Sequence, residues 1–290
     1  MIKKIWQYWL ATRPVEATLM IGFPLIGMFL GLSAWHQVGW LLLKFYIATY
    51  PLVMYVYCLN SYGGLEHDRI NQRLSDNPAV TGEVTPFELL ILTYGGAFFS
   101  GLLYFLWFPG CLFPWLLIIF NWTLYSHPSI YAKARPITGT SIHFLGGILQ
   151  FLLGWGAVHS IDGHSILIAI YFSLIFSAGH LNHEVKDHDP DKAAGLTTNA
   201  VAFGPEKVFS FAFGVFTFAF FYLLILSLFK ILAWRYALPY LAIYPFHLLL
   251  HRQATHGAWT GYNRMYQVVY RTLFVTAGAI LVLAKWWSLD

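Results

Sequence analysis

A short polar stretch, GHLNHEVKDHDPDKAAGLTTNAVAFG over residues 179–204, interrupts an otherwise apolar chain and is rich in acids and histidines. Within it, Glu184, Asp187 and Asp191 are separated by three and four residues, so a helix would place their carboxylates along one face. Such a row of carboxylates is repulsive unless a cation lies among them. Mg²⁺ keeps several waters and uses one or two carboxylates together with phosphate oxygens, so it fits these ligands better than zinc. A solvated loop is the alternative, since Pro190 disturbs a helix.

The composition indicates that the elements carrying this stretch lie in a membrane. Of the 290 residues, 58% are apolar and only 10% are charged, and the mean hydropathy is +0.59. Soluble domains have roughly 25% charged residues. A deficit of this size predicts a surface that mostly faces lipid. Nucleic acid is therefore not expected as a partner, despite a net charge of +4.

Nine apolar stretches are long enough, or nearly so, to cross a bilayer as helices, because about 20 residues span a core of roughly 30 Å. They cover approximately residues 15–34, 39–60, 86–107, 110–126, 137–158, 164–181, 206–229, 231–250 and 268–287. The sequence thus predicts an all-α fold, a polytopic membrane helix bundle of about nine transmembrane helices forming a single domain over residues 1–290. Eight spans are the alternative, because the seventh and eighth stretches are separated only by the region around Lys230.

The distribution of Lys and Arg supports this count. With nine spans, every Lys and Arg falls on the side of the N-terminus except four, which are Lys44, Lys230, Arg235 and Lys285. Basic residues accumulate on the cytoplasmic side of membrane proteins. We therefore expect a multi-pass integral membrane protein whose N-terminus is cytoplasmic. The polar stretch over residues 179–204 and a second one over residues 60–86 both lie on that same face, so the functional site is expected there.

Four segments, in the same order along the chain, resemble the UbiA superfamily of intramembrane prenyltransferases. HEVKDHDPDKAAGLTT (183–198) is similar to the second aspartate-rich motif of the family, with Glu184, Asp187 and Asp191 on its acidic positions. YSHPSIYAKARPITGTSIHFLGG (125–147) resembles the tyrosine-to-lysine loop, with Lys133 on the basic position. DNPAVTGEVTP (76–86) and TRPVEAT (12–18) resemble the turn after the first motif and the start of the first helix.

The first aspartate-rich motif departs from the family pattern. In NSYGGLEHD (60–68), Asn60 and Asp68 stand on its first and last positions, but Ser61 and Gly64 occupy positions where the family has acids. One of the two metal sites that the family implies has therefore lost much of its negative charge. Three outcomes are open: Glu66 replaces the missing acids, the second ion binds weakly, or the donor is an unusual one.

The resemblance implies a bundle around a central cavity and a Mg²⁺-dependent transfer of a prenyl group from a prenyl diphosphate to an aromatic or lipid acceptor. It implies that Asp187 and Asp191 are catalytic and, with Glu184, hold one ion, and that Asn60 and Asp68 hold the other. The expected substrate-binding residues are Lys133, Lys192, Arg69, Arg73 and Tyr125. Basic side chains would stabilise the departing diphosphate, and aromatic side chains would stabilise an allylic cation.

Three other functions are weighed against the sequence. A terpene cyclase of the same fold would act on a prenyl diphosphate without an acceptor. A membrane di-iron oxygenase or desaturase is suggested by the histidine pairs HLNH (180–183) and HLLLH (247–251), whose spacing puts each pair on one helix face. A channel or transporter is disfavoured because ionisable residues are scarce within the spans.

Overall fold

The structure, a computed structural model, describes residues 2–34, 38–70, 76–255 and 264–289, without the side chains of 264 and 265. All regular structure within these ranges is helical, which confirms the all-α prediction. The helices are α1 (Ile2–Ala11), α2 (Pro14–Gly31), α3 (Val38–Gly63), α4 (Leu65–Ile70), α5 (Pro86–Trp107), α6 (Leu112–Ser126), α7 (Thr138–Gly156), α8 (Gly163–Lys186), α9 (His188–Ala193), α10 (Asn199–Phe203), α11 (Pro205–Leu228), α12 (Trp234–Thr255) and α13 (Arg264–Trp286).

Each of the nine predicted segments coincides with one of the long helices in the described part of the chain. Six of these helices, namely α2, α3, α5, α8, α11 and α13, are both long and apolar enough to cross a membrane. The other three, α6, α7 and α12, are shorter or less apolar. α6 has only 15 residues, and α12 contains two prolines, a basic residue near each end and several polar side chains. The count of nine spans therefore stays a prediction.

Large apolar side chains cover the outside of the bundle. Phe98, Phe211 and Phe218 are each at least 60% exposed in the middle of their helices. Water-soluble helices have a polar outer face, whereas a helix that is apolar all round is typical of a membrane span. These surfaces support a chain that is embedded in lipid.

Close approach of the backbones of α2 and α7 fixes the centre of the bundle. A Cβ atom added at Gly154 of α7 would overlap the carbonyl of Pro24, and one added at Gly27 of α2 would overlap the carbonyl of Phe151. Small residues at such crossings let membrane helices pack closely, which compensates for the weak hydrophobic driving force within lipid. α7 packs in turn against α8, and α8 against α11.

The polar segments connect helices at one end of this bundle. α4 follows α3 and contacts α9, while α10 contacts both α8 and α9. α8 continues past its predicted end at residue 181 as far as Lys186, and α9 follows after the single residue Asp187. Pro190 lies in the first turn of α9, where the missing N–H costs no helical hydrogen bond, so the predicted disturbance is confined to this junction.

Candidate active site

Asp187 and Asp191 lie together at the junction of α8 and α9, in what we call the acidic turn (residues 187–191). The N–H of Asp191 donates to the carbonyl of Asp187 at 2.9 Å, and Asp187 Oδ2 lies 3.1 Å from His183 Nε2. Burial and the neighbouring Asp187 carboxylate raise the pKa of Asp191 to about 7. A nearby cation would stabilise the charged form of such a carboxyl group. An oxygen-only, partly buried pair therefore fits a hard ion such as Mg²⁺.

Glu184 lies one turn before Asp187 and is only 5% exposed. Its Oε2 accepts from the Asn199 N–H at 2.9 Å and from Asn199 Nδ2 at 2.8 Å, and its Oε1 lies 3.0 Å from His180 Nε2. Asn199 also accepts from the Ile137 N–H at 2.7 Å and donates to Thr140 Oγ1 at 3.0 Å. Both oxygens of Glu184 thus have protein partners, and its predicted place among the metal ligands stays a prediction.

Replacing Glu184 with Ala is expected to destabilise the protein by about 1–3 kcal/mol, because it leaves the buried N–H and Nδ2 donors of Asn199 without this acceptor. Thermal unfolding of the purified chain in detergent measures this change. Glu66→Ala, on the exposed surface of α4, is the matched control and should leave the unfolding temperature unchanged. Equal stability of the two variants would contradict the anchoring role.

Residues 60–68, which we call the first polar stretch, face the acidic turn. The two predicted metal ligands of this stretch already make hydrogen bonds within the protein. Asn60 Oδ1 accepts from Lys133 Nζ at 3.1 Å. Asp68 Oδ2 accepts from an Arg13 Nη atom at 2.7 Å, and both side chains are about 85% buried. Neither predicted metal ligand of this stretch therefore has all its oxygens available, and their metal role stays a prediction.

Tyr131 lies under Lys133 in what we call the lysine loop (residues 127–137). Lys133 Nζ is 4.8 Å from the centre of the Tyr131 ring, and the Tyr131 hydroxyl lies 3.1 Å from His67 Nδ1. Tyr131 and Arg13 both have left-handed backbones, with φ of 46° and 51°. Such conformations cost roughly 1–3 kcal/mol in residues other than Gly and concentrate at functional sites.

Lys133 lies between the two halves of the site, which are the first polar stretch and the acidic turn. Burial lowers the pKa of its ammonium, the carboxylates of Asp68 and Asp191 act in the opposite direction, and Arg13 adds to the lowering. Its charge thus interacts with the last acid of the first stretch and with the acidic turn at once. An ammonium in this position is suited to an anion that lies between the two halves.

An aromatic wall continues from the acidic turn into the bundle. The Tyr125 ring packs edge-on against His143, Trp122 and His180, with ring centres 4.7, 5.5 and 6.2 Å apart, and Phe176 lies 5.4 Å from His143. Tyr125 also lies close enough to interact electrostatically with Asp187 and Asp191. The wall therefore links the polar end of the site to its apolar interior.

The other predicted substrate-binding residues are less closely associated with the site. Arg69 at the end of α4 and Lys192 on α9 are exposed, and Arg73 lies outside the described residues. Sequence analysis also missed several residues that contact the predicted ones or one another, namely Arg13, His67, Tyr131 and Asn199. Arg13 and Tyr131 lie within segments that carry the family resemblance, but only the folded chain brings them to Asp68 and Lys133.

Within the described ranges, no group of three or more His, Cys, Asp or Glu side chains is arranged to hold a metal ion by itself. A Mg²⁺ ion at the acidic turn would therefore need water and substrate oxygens, as is usual for this ion. The histidine pairs do not come together: His247 contacts the Tyr266 hydroxyl at 2.8 Å, whereas His180 contacts Glu184. Nothing in this arrangement favours a di-iron enzyme.

Comparison with known proteins decides the family. A model of the UbiA prenyltransferase family matches residues 20–268. The chain belongs to this family. Like the rest of the UbiA family, it is a multi-pass integral membrane protein, in agreement with its six apolar helices.

Individual relatives of this UbiA chain are distant. A UbiA homolog from Archaeoglobus fulgidus bound to GPP and Mg²⁺ has a TM-score of 0.79 at 17% identity, covering 96% of this chain and 99% of that one. The same homolog bound to DMAPP and Mg²⁺ has a TM-score of 0.78 with equal coverage. A protoheme IX farnesyltransferase from Stenotrophomonas maltophilia is 26% identical over 164 residues. That match covers 55% of this chain and 54% of the farnesyltransferase.

Proposed function

We propose that this UbiA chain is a Mg²⁺-dependent intramembrane prenyltransferase, which moves a prenyl group from a prenyl diphosphate to an aromatic or lipid acceptor. The observation that carries the proposal is the position of Lys133. Its Nζ contacts Asn60 Oδ1 at 3.1 Å and lies close enough to Asp68 and Asp191 for their charges to act on it. An ammonium near the acidic turn, at the polar end of an aromatic wall, suits a substrate with a polyanionic head and an apolar tail. The neighbours bound to GPP and DMAPP with Mg²⁺ support this choice of donor and ion.

Asp187 and Asp191 would hold the ion, since their oxygen-only ligands and the raised pKa of Asp191 fit a hard cation. When bound, Mg²⁺ neutralises the negative charge that develops on a departing diphosphate. Lys133 would donate hydrogen bonds to the same diphosphate, and its charge is worth more in this partly buried position than in water. Lys192 and Arg69, both exposed, would contribute at longer range.

The aromatic wall would hold the tail and shield the reacting carbon. Heterolysis of the carbon–oxygen bond leaves the electron pair on diphosphate and an allylic cation on the prenyl group. The faces of Trp122, Tyr125 and Phe176 would each stabilise a nearby cation by roughly 0.5–2 kcal/mol. They also exclude water, which would otherwise capture the cation before the acceptor does.

The predicted topology puts this site on the cytoplasmic face, where soluble prenyl diphosphates would reach it. The arrangement of basic residues supports this orientation, since thirteen of the 17 Lys and Arg lie on the side that carries the polar motifs. Accessibility of cysteines introduced at Lys192 and Lys230 in sealed vesicles would test it, with modification of the two expected from opposite sides.

The test of the activity uses the full chain in lipid nanodiscs with labelled prenyl diphosphates of several lengths and a panel of phenolic and lipid acceptors. We expect a prenylated acceptor in the presence of Mg²⁺, loss of the product on addition of EDTA, and recovery when Mg²⁺ is restored. A cyclised hydrocarbon or terpene alcohol formed without an acceptor would contradict the transferase proposal. Failure to consume any donor would contradict prenyl chemistry altogether.

A further inference from the structure

Four positions of the first polar stretch correspond to the ligand positions of the first aspartate-rich motif, and none of them offers an uncommitted carboxylate. Glu66, the other acid of the stretch, has an exposed side chain on α4. Asn60 accepts from Lys133 Nζ at 3.1 Å. Ser61 is 1% exposed and neutral. Gly64 has no side chain, and Asp68 is paired with Arg13 at 2.7 Å. These four positions therefore lack the carboxylate ligands that a second divalent ion requires.

The space beside Gly64 is taken by an ammonium. A Cβ atom added at Gly64 would lie 2.6 Å from Lys133 Nζ and 3.4 Å from the Tyr131 hydroxyl. Any side chain at this position would push the end of Lys133 away from Asn60. The absence of a side chain at 64 is thus what allows Lys133 to reach the first polar stretch.

The two halves of the site carry net charges of opposite sign, positive around the first polar stretch and negative at the acidic turn. Near the first stretch, Lys133 and Arg13 face the single carboxylate of Asp68, while the exposed charges of Glu66 and Arg69 on α4 offset each other. Across the site, Asp187 and Asp191 place two carboxylates in the acidic turn, while the exposed charges of Asp189 and Lys192 on α9 offset each other. A divalent cation is attracted to the second half and repelled by the first, with little screening because these groups are partly buried.

We propose that this chain binds one divalent cation with its prenyl diphosphate, at the acidic turn, and that the Lys133 ammonium beside Gly64 takes the place of a second ion. The inference rests on the proposed function, because it assumes a diphosphate between the two halves. The Lys133 ammonium contacts one side of the diphosphate, and the single ion contacts the other. Arg13 and Tyr131, the two residues with left-handed backbones, hold this arrangement in place. Arg13 pairs with Asp68, and the Tyr131 ring packs against Lys133.

Counting bound Mn²⁺ tests the inference. Equilibrium dialysis and electron paramagnetic resonance would be measured on the full chain in nanodiscs, saturated with geranyl S-thiolodiphosphate, a donor analogue that ionises very slowly. We expect one Mn²⁺ for each chain and a spectrum without coupling between two ions. Zero or two ions with the analogue bound would overturn the inference and leave the donor assignment in place. Failure of the analogue to bind would instead overturn the proposed function.

Three variants connect this count to Lys133. Lys133→Ala is expected to keep one Mn²⁺ while weakening binding of the analogue on the order of 10- to 100-fold, as for loss of a hydrogen bond to a charged group. Lys207→Ala, on the exposed start of α11, is the matched control and should bind normally. The double variant Gly64→Asp with Lys133→Ala restores an acid and removes the ammonium, so it should bind two Mn²⁺.

A double variant that folds and still binds one Mn²⁺ would overturn the role of Lys133 and Gly64. Its folding is checked by thermal unfolding. If it fails to fold, the decision rests on the wild-type count and on Lys133→Ala. Analogue affinity in Lys133→Ala equal to that of Lys207→Ala would also overturn the proposal.

Discussion

Asp191→Asn is expected to lower prenyl-transfer turnover by about 10²- to 10³-fold while leaving the fold intact, which is the range seen when one charge-stabilising group is removed from an active site. The substitution keeps the size of the side chain but removes the negative charge that would attract the ion. Burial already disfavours this charge, since the pKa of Asp191 is raised to about 7. The neutral amide should therefore fit without structural cost. Initial rates at saturating donor and Mg²⁺ measure the effect.

Asp189→Asn is the matched control for this experiment. Asp189 lies in the same turn, but its side chain is 93% exposed, and its carboxylate contacts the neighbouring His188 ring. The substitution removes the same charge from the same segment, so long-range effects on the donor are comparable. We expect activity close to that of the wild type. Equal losses in the two variants would show that only the overall charge of the segment matters.

Gly154→Ala is expected to destabilise the bundle by about 3 kcal/mol, the upper part of the range for overpacking a tight contact. The added methyl group would overlap the backbone carbonyl of Pro24 and approach the Met28 nitrogen at 2.8 Å. Backbone atoms cannot rotate away as a side chain does, so α2 and α7 must separate. The fall in unfolding temperature in detergent or nanodiscs measures the change.

Gly214→Ala on α11 provides the comparison. A Cβ atom at Gly214 has no other atom within 4 Å, so it meets open space on a helix of similar length. The substitution should be neutral or stabilising by up to about 1 kcal/mol, because Ala is a better helix former than Gly. A similar loss of stability in both variants would mean that helix propensity, and not the contact with α2, explains the result.

Much of the fold could be predicted because membrane helices are encoded locally. Long apolar stretches give the helices, and the spacing of Asp187 and Asp191 predicts that their carboxylates share one side of a turn. The end of α8 was harder to predict, because its last residues are polar and helical at the same time. Hydropathy detects the apolar part of a helix but not its extension beyond the membrane.

The partners within the site could not be predicted from spacing. Arg13 and Asp68 are 55 residues apart, and Asn60 and Lys133 are 73 apart, so only packing of α2, α3 and the lysine loop brings them together. Gly64 illustrates the limit. The sequence reveals that an acid is missing there, but the reason, the ammonium that fills its space, belongs to another part of the chain.

Asn199 binds α10 to both Glu184 of α8 and the start of α7 through Ile137 and Thr140. The lysine loop, which ends at Ile137, and the acidic turn, which follows α8, are thereby fixed at a set spacing before any ligand arrives. The entropy lost in arranging these opposite charges is spent during folding, not during substrate capture. The proposed diphosphate site is consequently preorganised, and a substrate bound there would only have to order its own flexible tail.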